Sequence, residues 1–436
     1  MTPPLRRVLV AVVGLIAFGS IGRAAEPLAK PGPIGLTVRA GGRDRLGSLL
    51  TFLVPSDRLG ASVVRALGAG PVALLVADPA APGGSTPTVA EAARLGDGSI
   101  RAAWFLPRAI PKGSEARFAM DGASVGSDAQ TPWAVVEATP GAVEFRNRNR
   151  PVFRYNAAPL ASPRADASAN LTRDAYIHPA FSPSGALVTG DFSSYHPHHR
   201  GFFLAYVHTK WGDLAPDFWN IQGGTGKIVA DGFDRPTLGP VSARFEARHR
   251  WEAKLDGPRG PESRVALRER WEVELFDAPG SPYWLFDLTS TQQAEGEPLE
   301  VLPHRYGGMA YRSAEPSVRG PIDVLTAEGR HRLDGDQKPT RWVDLTGPVA
   351  DFSPNYAGAM VADHPGNPRY PTVVRIHPIT LPFFSFVPAH DQILTIPTDR
   401  PTVFRYRVLI HDGRPNPALN DRTAHDFSDP PEVILN

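Results

Sequence analysis

The chain alternates polar and apolar residues with a period of two over many short stretches. Arg270-Trp271-Glu272-Val273-Glu274-Leu275-Phe276 is the cleanest case, and it predicts a strand with one wet face. Ser48–Val54, Val72–Val76, Ala134–Phe145, Phe202–His208, Arg264–Phe276, Tyr283–Ser290, Thr372–Ile376 and Thr402–Ile410 also read as strands, by alternation or by enrichment in β-branched and aromatic residues. Only Thr88–Leu95 reads as a short helix. Pro (46) and Gly (41) are dispersed as turns rather than packed into tracts. The expected class is all-β, of sandwich type.

Two regions are expected. Residues 26–128 carry short strands and turn clusters, and read as a small immunoglobulin-like β-sandwich. Gly122–Thr131 is polar and Gly/Ser-rich, as a linker would be. Residues 133–415 hold longer strands richer in Trp, Tyr and Phe, and read as a large β-sandwich domain. The Pro/Asn/Asp-rich tail, residues 416–436, reads as irregular. At the N-terminus, Arg6 and Arg7 precede an apolar run from Val8 to Phe18, and small residues follow at Gly22, Ala24 and Ala25. Residues 1–25 therefore read as a signal peptide, which implies a secreted or periplasmic protein. The run is shorter than the roughly 20 residues of a membrane span, and no later segment is long and apolar enough to span, so no span is expected after signal removal.

Charge and cysteine content narrow the chemistry. Lys+Arg total 46 against Asp+Glu 45, which supplies no global field for polyanions and argues against nucleic-acid binding. With no cysteine, the chain has no disulfide, no thiol nucleophile and no iron–sulfur cluster. No nucleophile-elbow, Walker or H-E-x-x-H motif is present. Gly223-Gly224-Thr225-Gly226-Lys227 lacks the spacing of a phosphate loop and reads as a turn between strands.

Three of the 13 histidines fall within Tyr195-His196-Pro197-His198-His199-Arg200. Imidazole titrates near neutrality and is the commonest metal ligand, so His196, His198 and His199 are candidates for acid/base work or for a divalent metal. The alternative for each is a structural hydrogen bond to backbone. Pro197 cannot donate to a ladder, which places the cluster on an edge, bulge or loop. Arg200 either binds substrate through its planar fork or makes a structural ion pair. Asp217-Phe218-Trp219 sets a carboxylate beside aromatics, which suits a sugar: rings stack on C–H faces while the acid bonds hydroxyls or moves protons. The bland reading puts Trp219 in the core. Asp363-His364-Pro365 and Asn367-Pro368-Arg369 form a proline-stiffened polar loop. There His364 is a further acid/base candidate, with Asp363, Asn367 and Arg369 as binding candidates, unless Asp363 and Asn367 cap their own backbone. Tyr311 and Arg312 follow a Gly-Gly pair that permits close backbone approach, and either bind substrate or pack in a strand. His304 and Arg305 are secondary candidates. His249 and His331, each beside arginine, read as solvent-facing, and His390 and His411 have no supporting pattern.

The region from about Val136 to Asp412 resembles the PmoA-like family, a family of unknown function labelled "methane oxygenase PmoA". The resemblance rests on Arg150-Pro151-Val152-Phe153-Arg154-Tyr155-Asn156, on the histidine cluster, on Asp217-Phe218-Trp219, on Tyr306-Gly307-Gly308-Met309-Ala310-Tyr311-Arg312, on Arg341-Trp342-Val343-Asp344, and on Asp363 to Arg369. Tyr195 stands where the family usually has Asp. The family is in turn similar to galactose-mutarotase-like supersandwiches, whose concave sheet face binds sugars. These features together imply a carbohydrate-active enzyme that cleaves a glycoside by hydrolysis or elimination. Histidines outnumber candidate carboxylates, which favours proton abstraction or metal assistance over a double-carboxylate route. The alternatives are a non-catalytic glycan-binding protein and a metal-dependent oxygenase, as the family label implies.

Overall fold

The computed structural model describes residues 32–436, apart from 82–85, 127–130, 140, 165–167, 194, 258–259, 317, 353 and 380. The expected signal segment, residues 1–25, and part of the expected linker lie outside the described residues. Two nine-stranded antiparallel sheets form the large region. The first runs, in spatial order, Lys338–Pro339, Val373–Ile376, Phe383–Phe386, Gly308–Arg312, Phe202–Ala205, Tyr176–Ala180, Arg150–Asn156, Ala142–Asn147 and Trp133–Thr139. The second is built on the long strands Ser242–Gly257, Gly260–Phe276, Tyr283–Ala294 and Thr402–Asp412, with Gly226–Phe233 at one edge and Tyr356–Asp363, Trp342–Pro348 and Asp323–Thr326 toward the other.

Alternation decides what lies between the sheets. Phe202 points inward, with its ring 5.7 Å from Phe286 of the opposite sheet and stacked at 4.6 Å on Tyr311. Phe203 points outward, against Trp219 at 4.8 Å. On the strand Ser242–Gly257 the inward set is Ala243, Phe245, Ala247, His249, Trp251 and Ala253, all buried. His249 is therefore in phase with the core, which corrects the expectation that it faces solvent. Its ring bonds Tyr155 Oη (2.8 Å) and Glu269 (2.9 Å), and Glu269 also accepts from Trp251, Trp271, Ser290 and Gln292. These bonds offset the desolvation of the buried carboxylate and hold it below the usual carboxylate range.

Residues 34–120 contribute six strands of a single seven-stranded sheet, where the pattern predicts an immunoglobulin-like pair of sheets. Thr88–Arg94 is one of those strands, not a helix. Its alanines favour a helix in isolation, but Ala90 and Ala92 are fully buried between the strands Val72–Ala77 and Ile100–Phe105, so sheet packing overrides local propensity. The seventh strand is Glu432–Leu435, paired with Ile34–Arg39. The tail is thus not irregular: it forms the helix Pro417–Ser428 and then this strand.

The outer face of the seven-stranded sheet seats on the large region. Leu49, Ala103 and Phe105 join one apolar cluster with Phe276, Leu285, Met360 and Leu409. Glu91 accepts from the backbone N–H groups of Val241 and Ser242, and Arg101 pairs with Glu274. The face of Arg270–Phe276 that alternation reads as wet is therefore partly covered at Glu274.

Candidate functional site: a histidine-lined cavity

His196 to His199 forms a tight turn, in which His199 N–H donates to His196 O at 3.0 Å. Pro197 occupies the second position, where its fixed φ suits the turn. At the following Gly201, a Cβ would stand 2.0 Å from Ile177 O, so glycine lets the turn lie against the strand Tyr176–Ala180. Arg200 fastens the turn from below. Its guanidinium donates to Pro197 O (2.6 Å), Asp191 (2.8 Å) and Leu171 O (2.5 Å), and lies 3.7 Å from the Phe192 ring centroid. Arg200 is fully buried, and of the two readings open for it the structure selects the structural ion pair.

The turn delivers three imidazoles to the outer face of the first sheet. His199 stacks on Phe383 at 4.5 Å and meets Trp219 edge-on at 5.6 Å. His198 lies 4.6 Å and His196 5.0 Å from His199, between ring centroids. A fourth ring, His377, comes from the residue just after the strand Val373–Ile376 and lies 6.0 Å from His196. With Tyr195, Asn220, Arg305, Tyr306, Arg375 and Phe383, these rings line a cavity of about 340 Å³. That is within the range of small-molecule sites, roughly 300–1,000 Å³. No Asp or Glu is among the lining residues. Tyr195 is 85% exposed and stands at the mouth.

Burial sets the charge of these rings. Desolvation, with neighbouring cations adding to it, pushes His198 down to about 3 and His377 down to about 4, and holds His199 well below 6.5 and His196 below it. All four are therefore neutral at pH 7 in the free protein. The Nδ1 atoms of all four are buried without a hydrogen-bond partner among the described residues. Buried polar atoms are rarely left so, and all four belong to rings that line this one cavity. Among the described residues, no three His, Asp or Glu side chains are grouped as a metal site would require.

Of the site candidates singled out by sequence, His196, His198, His199 and the secondary candidate Arg305 line this cavity, and the others, His304 among them, do not. Asp217 does not face the cavity: it accepts from the N–H groups of Trp219 (2.9 Å) and Asn220 (2.8 Å) and from the Asn220 side chain (2.8 Å), so it positions Asn220. Trp219 is fully buried and backs His199, so it is a packing wall rather than a stacking surface. Arg312 is buried beside the cavity, paired with Glu315, and its charge is felt at His196, His199 and His377. Tyr311 is in the core, with its hydroxyl on Val188 O at 2.6 Å.

The Asp363–Arg369 loop is not part of the cavity lining. Asp363 accepts from Asn367 (2.7 Å) and Thr372 N–H (2.8 Å), and burial raises its carboxyl to about 6. Asn367 exchanges bonds with the Arg405 backbone, and Arg369 donates to the carbonyls of Pro388, Gln392 and Ile393. His364 accepts from Gly366 N–H (2.9 Å) and lies against Phe427. This is the self-capping turn, and it corrects the expectation that His364, Asp363, Asn367 and Arg369 join the site.

Sequence reading missed His377, Arg375, Tyr306 and Asn220 as site residues. The available signal for the first two was position: His377 ends a strand that alternation finds, and strand ends at one sheet edge are where sites assemble. A larger cavity of about 870 Å³ lies between the seven-stranded sheet and the large region. Prolines and apolar residues dominate its lining, it contains no histidine, and its one carboxylate, Asp277, is paired with Arg148.

Fold and cavity together define an all-β sandwich protein with a histidine-lined pocket on the outer face of one sheet. The chain belongs to the family described as "Family of unknown function (DUF6807)", whose model matches residues 142–425. That description carries no reaction and no methane-oxygenase label. No curated protein matches the chain. Two similar solved structures, both from Enterococcus faecalis, are a protein in glycosyl hydrolase family 38 (10% identity, TM-score 0.39) and an alpha-mannosidase of strain V583 (10% identity, TM-score 0.38). Each alignment covers 94% of this chain but 48% and 46% of those chains, so the protein spans less than half their length.

Proposed function

We propose that this protein is a carbohydrate-active enzyme that cleaves a glycoside at the histidine-lined cavity by imidazole acid–base chemistry. One observation carries the reading: among the described residues, four neutral imidazoles whose Nδ1 atoms have no hydrogen-bond partner line a cavity with no carboxylate in its lining. A neutral imidazole can take a proton at pH 7 and return it. Double-carboxylate glycosidases need two acids a set distance apart, and this lining supplies none. Exposed Tyr195 at the mouth offers an aromatic face for the C–H side of a sugar ring, with Asn220 and Tyr306 as hydroxyl partners. His196, half-buried and opposite His377, is the ring best placed to reach substrate from the mouth.

The test is turnover across a broad glycoside panel by the unmodified protein and by His196→Ala and His377→Ala. Each variant should lose at least about 100-fold in kcat, the usual worth of a positioned acid or base, while sugar binding changes little. A protein that binds glycans without turning any over, and whose binding survives both substitutions, is a binding module and ends the enzyme reading.

A further inference from the structure

Charge at the cavity is one-sided. Arg305 and Arg375 line it, and Arg312 lies buried beside it. Arg332 donates to the carbonyls of His377 and Leu381, in the segment that forms one wall. Arg173 lies behind His198, buried, with none of its three guanidinium nitrogens bonded. The acids facing this group are few. Asp336 is paired with Arg375, Glu315 with Arg312 and Asp191 with Arg200. Asp217 is used up by backbone N–H groups. Arg173, Arg305 and Arg332 make no ion pair among the described residues. Since the four imidazoles are neutral, the uncompensated charge is guanidinium, and guanidinium selects planar oxyanions.

We infer that the glycoside bound in this cavity carries a carboxylate on its ring, as a hexuronate does, with exposed Arg305, which makes no ion pair among the described residues, holding that carboxylate at the mouth. The inference rests on the glycoside reading above and specifies its substrate. It also selects elimination over hydrolysis. With the carboxylate held on the Arg305 guanidinium, the ring proton α to it becomes more acidic, because the developing enolate charge is neutralised. A neutral imidazole takes that proton. The electron pair forms the double bond between the α and β carbons, the β C–O bond breaks, and the imidazole's proton passes to the leaving oxygen. No water and no co-reactant is consumed. A bound carboxylate also favours the protonated form of nearby imidazoles, so a ring that is neutral in the free protein can hold the transferred proton until the leaving oxygen takes it.

The experiment compares one oligosaccharide in three forms: with its uronate, with that carboxyl reduced to the alcohol, and with the alcohol sulfated. The unmodified protein should bind the uronate at least tenfold more tightly than either other form. The product should show the short-wavelength ultraviolet absorbance of a conjugated unsaturated carboxylate. Arg305→Ala, on an exposed side chain whose loss should leave the thermal midpoint unchanged, should weaken uronate binding at least tenfold. Equal affinity for the carboxyl-reduced form, with turnover of neutral glycosides, overturns the uronate inference and leaves the glycoside reading standing. Preference for the sulfated form overturns the carboxylate assignment, and a saturated, hydrolysed product overturns elimination. Failure to bind any of the three, or any glycoside of the broader panel, removes both readings together.

Discussion

Arg200 shows how a residue can be found for the right place and the wrong job. Its position beside three histidines invites a ligand role, yet every bond it makes holds the turn. Replacing it by alanine strips the Pro197 and Leu171 carbonyls of this donor and leaves Asp191 without its cation, with only the Tyr176 hydroxyl and the Phe192 N–H. Removing one partner of a buried pair costs about 3–5 kcal/mol, so Arg200→Ala should lower the urea-denaturation free energy by about that much. Arg200→Lys should recover only part of the loss, because a point charge cannot serve three directions at once. A loss below about 1 kcal/mol would show that the turn holds itself. The same distinction explains what was legible here. Residue type and local density located the cavity, since three imidazoles in four positions need a reason to be together. They did not give roles, because Asp217 and the Asp363–Asn367 pair spend their oxygens on nearby N–H groups, which are also local in sequence. His377 was invisible to local density: only sheet pairing through Phe383–Phe386 and Gly308–Arg312 carries it to the strand that begins at Phe202.

Among elements, the strands were legible and the tail was misread. Every stretch with period-two or β-branched enrichment holds a strand, because alternation reports burial of one face directly, although Phe202–His208 is strand only to Ala205 and Ala134–Phe145 spans two strands. The tail did carry helix-start signals: Asn416 caps Leu419 N–H at 3.1 Å and Pro417 occupies the first turn. Pro, Asn and Asp there punctuate a helix rather than abolish one. What holds the helix is long-range: Ala424, Leu419 and Phe427 pack on an apolar cluster with Trp342, Met360 and Leu409, and polar bonds fix it there. Asn420 donates to buried Asp344 at 2.7 Å, Trp342 Nε1 to Asp421 at 2.9 Å, and Arg45, buried near the start of the chain, to Asp426 at 2.8 Å. Asp426→Ala would leave Arg45 in the interior without its closest carboxylate, at a cost of about 3–5 kcal/mol. Because the last strand follows this helix, amide exchange at Val433–Leu435 should accelerate well beyond the change elsewhere. Uniform acceleration over the whole chain would mean that the helix and last strand do not form a separate unit.

At the scale of the molecule, the buried titratable groups set how stability depends on pH, and they pull in opposite directions. His196, His198, His199 and His377 are held below the unfolded value of about 6.5, so below that pH the unfolded chain binds more protons than the folded one. Their contribution is present above about pH 6.5 and is lost as pH falls toward 3 to 4. Glu269 and Asp344, both held low by their partners, add acid sensitivity over a lower range. Asp363, raised to about 6 by burial, works the other way: its desolvation cost is relieved as it protonates, between about 6 and the unfolded value. His411 is raised by buried Asp344, so its contribution is present below about 6.5 and is lost as pH rises through its elevated value. Glu91 and Asp174 are raised by burial as Asp363 is, but His178, His304, His364 and His425 are depressed like the four cavity rings, so among the described residues eight depressed imidazoles against three raised carboxyls give a net loss on the acid side. The thermal midpoint should therefore fall steadily from pH 6.5 to 4. His199→Phe keeps a ring stacked on Phe383 while removing one titrating group, so its midpoint should fall less steeply over that range. Parallel curves for the two proteins would place the acid sensitivity outside the cavity. A shallower curve would tie it to the same uncharged imidazoles on which the proposed chemistry depends.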